Sequence, residues 1–338
     1  MLCYNKKEKY KFKYYKFKVF FSMNNIKGYK PGELFSEVLR RLTSKFRYRA
    51  SYIFHGIIKN WDKDHEVLDF DRPLNLTSMI CNRSFFDAPF VQYWTKAMKE
   101  KTIYHRKIWE LVYICQSLYE NGMLVPGKKG LVFGVGKECL PDLFASMGCE
   151  ITATDLDLQI AEEKGWVEGS MHVESSFLEL NSKHLCTKEQ FLEQVKYREV
   201  DMNNIPDDLR DYDFCWSACA LEHLGNIEKG LEFIKNSMKT LKPGGIAVHT
   251  TEFNLYSNDK TLEARDLCLF RKKDLEKVIK ELEEEGNIVY PFDWHVGKEV
   301  IDNFVDLPPF GKKIVHTRLL INGYPCTSAG LIIRKAVK

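Results

Sequence analysis

The sequence lacks several features that would place it in a well-defined class of proteins. No apolar run approaches the ~18 residues that a membrane-spanning helix needs, so no transmembrane segment is predicted. The first residues contain no long apolar stretch and no small-residue cleavage site, which argues against a secretory signal and favours a cytoplasmic location. The net charge of +3 is small for 338 residues, and alone it does not indicate a nucleic-acid partner.

Cysteine pairs are also missing, although the chain contains ten cysteines. None forms a Cys-x-x-Cys motif, and the closest two, Cys215 and Cys219, stand in an apolar stretch. We therefore expect reduced, mostly buried thiols rather than disulfides, and we predict no metal site. Four residues of mixed oxygen and nitrogen chemistry are candidate metal ligands, but their spacing is not diagnostic: Glu222, His223, Glu252 and His295.

The chain begins with a basic, aromatic segment. Residues 1–30 are rich in Lys, Tyr and Phe, and the stretch KYKFKY at residues 9–14 alternates with a period of two, as in an edge strand. We interpret the segment as a solvated basic arm, with a peripheral contact to a membrane or a partner protein as the alternative. Residues 31–128 follow as a mainly helical region, in which Trp94 and Trp109 belong to an apolar stripe.

Strand and helix patterns alternate along residues 129–338, which indicates one α/β domain. Helical patterns separate five apolar runs that predict strands: LVFGV, EITATDL, YREVDMNNIP, YDFCWSACAL and IAVHTTEF. Such alternation is typical of a doubly wound, mostly parallel sheet. Asn322-Gly323, between the last two apolar runs, predicts a tight hairpin, which adds an antiparallel strand.

Gly134 and Gly136 follow the first of these strands. A backbone without Cβ atoms can approach a ligand closely. The dinucleotide fingerprint requires a third glycine, but Cys139 stands at that position, and Glu138 would repel a diphosphate. The loop therefore favours a nucleoside without a diphosphate and disfavours an NAD-dependent oxidoreductase.

Two acids after the next strands are candidates for holding that nucleoside. Asp155 follows Gly136 by 19 residues, and its carboxylate can accept both ribose hydroxyls, with a helix N-cap as the alternative. Asp201 leaves the third strand, where it can accept a hydrogen bond from an adenine amino group while Met202 packs on the ring. A turn stabilised by the Asp201 side chain is the alternative interpretation.

Four motifs occur in order along this part of the chain: FGVG, ATDLD, VDMNNIP and LKPGG. In this order and at these spacings, residues 129–338 resemble the class I S-adenosylmethionine-dependent methyltransferases. The resemblance implies S-adenosylmethionine as cofactor and a Rossmann-like, seven-stranded sheet with one antiparallel edge strand. It also implies a set of residues that contact the cofactor: Gly134, Gly136, Asp155, its neighbour Leu156, Asp201, Met202 and Ser217.

Three longer segments resemble a subset of these enzymes that is associated with bacterial surface-polysaccharide gene clusters: YHRKIWE, LEHLGNIEKGLEFIKNSMKTLKPGGIAVHTTEFN and DNFVDLPPF. This closer resemblance implies an O-methyltransferase for capsule or lipooligosaccharide synthesis. Its substrate would be a small-molecule or nucleotide-linked sugar. A nitrogen, a phosphoryl-linked oxygen or a lipid-linked intermediate is the alternative acceptor.

A sugar hydroxyl is a poor nucleophile, so a general base beside it would help the transfer. His223 follows the fourth strand and is the first candidate, with a cap or packing role as the alternative. Glu252, after the fifth strand, and His295, in a long aromatic connection, are the other candidates. Trp294 is predicted to stack on the sugar, unless this connection is only structural.

A predicted helix begins near Tyr104, His105 and Arg106, just before the first strand. In the methyltransferase architecture this helix packs near the methionine end of the cofactor. Arg106 is therefore predicted to pair with the methionine carboxylate, and Tyr104 and His105 are predicted to contact the substrate. A solvated basic helix start is the alternative.

Overall fold

The computed structural model describes residues 76–157, 177–310 and 315–337. The basic arm predicted for residues 1–30 lies outside the described residues. Within the described ranges, no helix combines the length and the apolar character that crossing a membrane requires. The nine described cysteines are all free and buried, which confirms the expectation for them.

Five parallel strands form the centre of the main sheet, in the order β4-β3-β2-β5-β6. They are β2 (Lys129–Val132), β3 (Glu150–Asp155), β4 (Val195–Glu199), β5 (Tyr212–Ala218) and β6 (Leu241–Asn254). The central strand β5 is largely buried, as expected where helices cover both faces of a doubly wound sheet, whereas the edge strand β4, with the sequence VKYRE, has one buried residue. All five were predicted, and the α/β fold class is confirmed.

The sheet continues beyond β6 with strands from both ends of the described chain. β12 (Tyr324–Arg334) pairs antiparallel with β6, and β1 (Ser78–Ile80) pairs antiparallel with the other edge of β12. β10 (Phe292–Asp293) lies parallel to β1, while β9 (Ile288–Val289) and β11 (Leu319–Ile321) also pair with β12. The predicted hairpin joins β11 to β12, and both of its turn residues, Asn322 and Gly323, have positive φ.

Two details of the predicted sheet are wrong. The main sheet has ten strands rather than seven, and the antiparallel strand β12 lies between β6 and β1 rather than at an edge. The antiparallel strand is not at the edge because β1 pairs with its second side. The sequence around β1 shows no strand pattern. A strand of three residues, all buried, carries no measurable alternation.

Six helices flank the sheet in the described ranges: α1 (Pro89–Ala97), α2 (Arg106–Glu120), α3 (Leu140–Ser146), α4 (Lys188–Gln194), α5 (Ile227–Ser237) and α6 (Lys272–Glu284). Their starts follow capping chemistry. His105 Nδ1 accepts a hydrogen bond from the N–H of Lys107 at the start of α2, and Asn226 caps α5 through the N–H of Lys229. A two-stranded ribbon, β7 (Glu263–Ala264) with β8 (Leu267–Cys268), lies between β6 and α6.

The packing of α2 determines where its first residues lie. Trp109 and Tyr113 are fully buried and stack with ring centroids 4.8 Å apart. A Cβ atom on Gly330 of β12 would lie 2.3 Å from the Tyr113 ring, so only glycine allows the helix to approach the strand this closely. This contact holds the N-terminus of α2, with Arg106, at the carboxyl end of the parallel strands.

Candidate active site

A cleft of about 520 Å³ opens at the carboxyl ends of the parallel strands, where open α/β sheets bind ligands. Its volume lies in the range of ordinary small-molecule sites. Nine of the predicted site residues line it: Arg106, Gly134, Gly136, Asp155, Leu156, Asp201, Met202, His223 and Glu252.

One part of the cleft, here called the glycine side, consists of Gly134, Gly136, Asp155, Asp201 and Met202. Both glycines have positive φ, +62° and +51°, a conformation that favours glycine. A Cβ on Gly134 would lie 2.7 Å from the Cβ of Ala220, so a side chain there would also clash. The loop thus exposes bare backbone to the cleft.

Asp155 fixes this loop through its carboxylate. Its Oδ2 accepts a hydrogen bond from the N–H of Gly136, and its Oδ1 accepts one from the N–H of Leu156, both at 2.8 Å. Each carboxylate oxygen can accept more than one hydrogen bond. Asp155 can therefore position the loop and still accept hydroxyl groups from a ligand.

Asp201 forms a turn after β4. Its Oδ1 accepts a hydrogen bond from the N–H of Asn203 at 2.8 Å. This is the turn that the alternative interpretation of Asp201 predicted. Asp201 is itself exposed, whereas the neighbouring Met202 is buried. Both line the cleft, so the turn brings a carboxylate and an apolar side chain to the same ligand space.

The opposite part of the cleft, here called the glutamate side, consists of Arg106, Glu110, Cys219, Glu222 and Glu252. All five are buried. Nη1 of Arg106 lies 2.9 Å from Oε1 of Glu110, and Nη2 pairs with Oε1 of Glu252. Two protein carboxylates therefore already occupy the guanidinium that was predicted to hold a ligand carboxylate.

The other oxygens of two glutamates on this side have no hydrogen-bond partner among the described residues. Oε2 of Glu222 accepts a hydrogen bond from Oγ1 of Thr251 at 3.1 Å, but its Oε1 is unsatisfied, as is Oε2 of Glu252. Burial raises the pKa of the Glu252 carboxyl, and the neighbouring Arg106 only partly opposes this. Such bare, buried acceptors are costly unless a ligand satisfies them.

His223 lines the cleft within a 3₁₀ turn, Leu221–His223, that follows β5. Its Nδ1 lies 2.6 Å from the main-chain oxygen of Asp266. A carbonyl oxygen can only accept, so Nδ1 carries the hydrogen. In the neutral ring Nε2 is then the acceptor.

Three predicted site residues do not line this cleft: Ser217, which lies in β5, and Trp294 and His295, which follow β6 in the chain. Ser217 is fully buried and its Oγ lies 2.9 Å from Nδ1 of His249, whose Nε2 contacts Ser237 at 3.0 Å. Trp294 stacks on Phe292 with ring centroids 3.7 Å apart. His295 follows Trp294 and is held through its N–H, which donates to Asp293 at 2.9 Å.

Tyr104 and His105 are likewise outside the cleft, although Arg106 beside them lines it. Tyr104 packs edge-on against Phe86, and His105 lies against His316 with ring centroids 4.7 Å apart. Burial lowers the pKa of His105 to about 4, so this ring is neutral at pH 7.

Cys219 and Glu110 belong to the site but were not singled out from the sequence. Cys219 has φ +51°, which is unusual for a residue other than glycine and common at functional sites. No sequence pattern reveals such a conformation. Glu110 follows Arg106 by four residues, and the i, i+4 spacing of opposite charges on a helix was a usable signal.

Comparison with known proteins identifies the central part of this chain. Residues 131–249 match the family described as "Methyltransferase domain", which covers the glycine loop and strands β3 to β6 up to His249. The match spans less than half of the chain. None of the curated proteins has a sequence that matches it.

Several solved structures align with most of the chain at low identity. A protein from Galdieria sulphuraria assigned as a sarcosine dimethylglycine methyltransferase is 14% identical, covers 74% of this chain and 100% of its own, and has a TM-score of 0.43. An S-adenosylmethionine-dependent methyltransferase from Clostridium acetobutylicum is 12% identical over 75% of this chain and 100% of its own, with a TM-score of 0.38. Similarities of this size say nothing about the substrate.

Proposed function

We propose that this chain, which is an S-adenosylmethionine-dependent methyltransferase, transfers the methyl group to a hydroxyl of a sugar or sugar-linked compound. The match of residues 131–249 to a methyltransferase domain and the cleft at the strand ends are the premise. The sugar, and its place in a bacterial surface glycan such as capsule or lipooligosaccharide, are supported by the resemblance of the three longer segments. We place the enzyme in the cytoplasm, where nucleotide-linked sugars are made available.

The glycine side fits the cofactor. The bare backbone at Gly134 and Gly136 lines the cleft and lets a nucleoside approach closely. Asp155 would accept the ribose hydroxyls, and Asp201 with Met202 would bind the adenine. When bound, S-adenosylmethionine supplies a methyl group that is activated by its positively charged sulfur.

The observation that favours a hydroxyl acceptor is the pair of unsatisfied oxygens, Oε1 of Glu222 and Oε2 of Glu252. These atoms accept hydrogen bonds and donate none, so they select a ligand that carries hydrogen-bond donors. They would orient the acceptor, while Nε2 of His223 would take the proton that the hydroxyl loses. The hydrogen bond from Nδ1 to Asp266 fixes the tautomer in which Nε2 is the nitrogen that accepts a proton.

Exchanging His223 for asparagine tests this assignment. We expect the His223→Asn variant to lose about 10²- to 10⁴-fold in kcat, which is the usual contribution of a general base. Binding of S-adenosylhomocysteine, measured by calorimetry, should not change. His184→Asn is the matched control, because His184 does not line the cleft and its φ of +50° suits asparagine. A His223→Asn variant with unaltered kcat would remove His223 from the reaction.

Candidate acceptors are tested by incubating the enzyme and cofactor with nucleotide sugars and detecting methylated products by mass spectrometry. A nitrogen acceptor is the second candidate, because the buried carboxylates of the glutamate side would also attract an ammonium group. Methylation of amines but of no sugar would replace the first proposal by the second. The same carboxylates would repel a phosphoryl-linked acceptor.

A further inference from the structure

We propose that Cys219, Glu222 and Glu252 bind a divalent cation of the zinc class on the glutamate side of the cleft. One potential ligand atom from each residue, a sulfur and two carboxylate oxygens, lies within 4.8 Å of the other two. All three residues are at least nine-tenths buried, with 8%, 1% and 4% of their surface exposed. The three also line the cleft, so a cation there would face the substrate space.

Neighbouring side chains bond to one atom of each of these three residues, as the residues behind the ligands of a metal site do. Thr251 holds Oε2 of Glu222, and Arg106 holds Oε1 of Glu252. Cys219 Sγ is approached by Nη1 of Arg106 at 3.7 Å and by Oγ1 of Thr250 at 3.9 Å. Outer partners of this kind orient metal ligands and leave one atom of each free for the ion.

The two oxygens without a geometric partner are the strongest evidence that a ligand is expected. Both Oε1 of Glu222 and Oε2 of Glu252 are buried, and neither has a hydrogen-bond partner within the described part of the chain. A buried carboxylate oxygen without a partner costs free energy. A cation between the two oxygens would satisfy both at once.

The charges of the site point the same way. Three buried carboxyl groups, those of Glu110, Glu222 and Glu252, face the cations Arg106 and Lys107. Metal ligation requires ionised carboxylates, and with all three ionised the site carries one negative charge in excess. A thiol that coordinates a metal loses its proton. A divalent cation together with the Cys219 thiolate would therefore make the cluster neutral.

The donor set favours zinc over magnesium or calcium, since those ions take oxygen ligands and avoid sulfur. A tetrahedral zinc ion about 2.0–2.3 Å from its ligands separates them by roughly 3.4–3.8 Å. Ligand atoms within 4.8 Å of one another need only small side-chain rotations to reach that geometry. Three protein ligands leave a fourth position open, as in catalytic zinc sites.

The role of the ion rests on the proposed function, whereas its binding does not. With the ion bound, Glu222 and Glu252 would orient the acceptor through the cation and not by direct hydrogen bonds. At the open position the acceptor hydroxyl would coordinate the cation, which lowers the pKa of that hydroxyl. The O–H bond would then break, its proton would pass to Nε2 of His223, and the oxygen would attack the methyl carbon with the electron pair that it keeps. The bond from that carbon to the cofactor sulfur would break at the same time, its electron pair would go to the sulfur, and S-adenosylhomocysteine would leave. The reaction needs no oxidant or reductant.

Metal binding is tested on the full chain after chelator treatment, with Zn²⁺ and with Co²⁺ as a spectroscopic probe. We expect one equivalent of either ion to bind, and Co²⁺ to show a sulfur-to-metal charge-transfer band. Cys219→Ser should abolish that band and weaken zinc binding more than about 100-fold. Cys149→Ser is the control, because Cys149 is also buried and its thiol bonds to main-chain oxygens of residues 123 and 125.

Three results would overturn the proposal: no metal binding by the native chain, a cobalt complex without the sulfur band, or unchanged zinc affinity in Cys219→Ser. Binding of S-adenosylhomocysteine and methylation of sugars are measured on the same protein. Sugar methylation that survives complete metal removal would sink the metal's role and leave the proposed function standing. Metal binding without sugar methylation would sink the proposed function and leave the metal site standing.

Discussion

The glycine side and the glutamate side of the cleft differ in how their charged groups are held. On the glycine side, Asp155 and Asp201 bond to main-chain N–H groups of residues 136, 156 and 203. On the glutamate side, Glu222 and Glu252 bond to side chains and each keeps one oxygen unsatisfied. Main-chain hydrogen bonds fix the loops of the glycine side. On the glutamate side, carboxylate oxygens are left that a ligand can still satisfy.

The two sides also differ in how far along the chain their partners lie. Asp155 bonds to Leu156, its neighbour in the chain, and to Gly136, which lies 19 positions before it. Arg106 reaches Ser328, which is 222 positions away, and Thr251 reaches Glu222 across 29 positions. The glycine side is therefore encoded in short motifs, while the glutamate side exists only after the sheet has formed.

The largest expected effect on this comparison comes from Arg106. Replacing it with methionine leaves Glu252 buried without its cation and leaves Glu110 with Lys107 alone. We expect the free energy of unfolding to fall by about 3–5 kcal/mol, the usual cost of breaking a buried ion pair from one side. Urea denaturation of the two proteins at pH 7 measures this difference.

Arg198→Met is the control for Arg106→Met. Arg198 pairs with Asp208 at the surface, where such pairs contribute about 0–1 kcal/mol. Equal losses in the two variants would show that the glutamate side is not a desolvated charge cluster, and the contrast between the two sides would be lost.

A smaller effect is expected from His249, which lies on β6 three residues before Glu252. Both of its ring nitrogens are bonded, and burial lowers its pKa from 6.5 to about 3. The folded state then binds fewer protons than the unfolded chain between these values. We expect about 2 kcal/mol of stability to be lost between pH 7 and pH 5, because each pKa unit corresponds to about 1.4 kcal/mol.

Thermal unfolding of the native chain and of His249→Gln across that pH range separates this residue from the others that titrate. The glutamine variant should have the lower stability at pH 7 and the shallower decline towards pH 5. Parallel declines would mean that His249 does not cause the loss of stability at acid pH, and that water reaches its ring in the folded state.

The smallest expected effect is on the glycine side. Asp155→Asn removes the charge that holds the N–H groups of Gly136 and Leu156, and it weakens an acceptor for the ribose. We expect about tenfold weaker binding of S-adenosylhomocysteine by calorimetry, since a hydrogen bond to a charged group contributes about 1.5–3 kcal/mol. Glu150→Gln, at the exposed start of the same strand, should bind as the native chain does.

Most of the fold could be predicted because its signals are local. The five parallel strands alternate with helical patterns along the chain, and Asn322-Gly323 marked the hairpin. The position of β12 could not be predicted in the same way. It depends on β1, a three-residue strand whose pairing with β12 spans about 250 positions and leaves no pattern in the sequence.

The residues of the candidate site also divide into those with a local sequence signal and those whose contacts depend on distant segments. Gly134, Asp155 and Asp201 were found because each belongs to a motif at the end of a strand. Arg106 was found as a residue, but its pairing with Glu252 depends on how α2 packs on β6 and β12. Trp294 and His295 were placed in the substrate region by composition alone, and the structure packs Trp294 against Phe292 instead.

The interior position of β12 has a consequence for how the protein is made. Its hydrogen bond from the N–H of Ile332 to Ser78 closes a separation of 254 residues, and it also supplies Ser328 to the Arg106 and Glu110 pair. Bringing such distant segments together is slow, because the loop entropy is lost before the contacts form. During synthesis on the ribosome, β2 to β6 are therefore made before the segment 324–334 that completes the surroundings of Arg106 and Glu110.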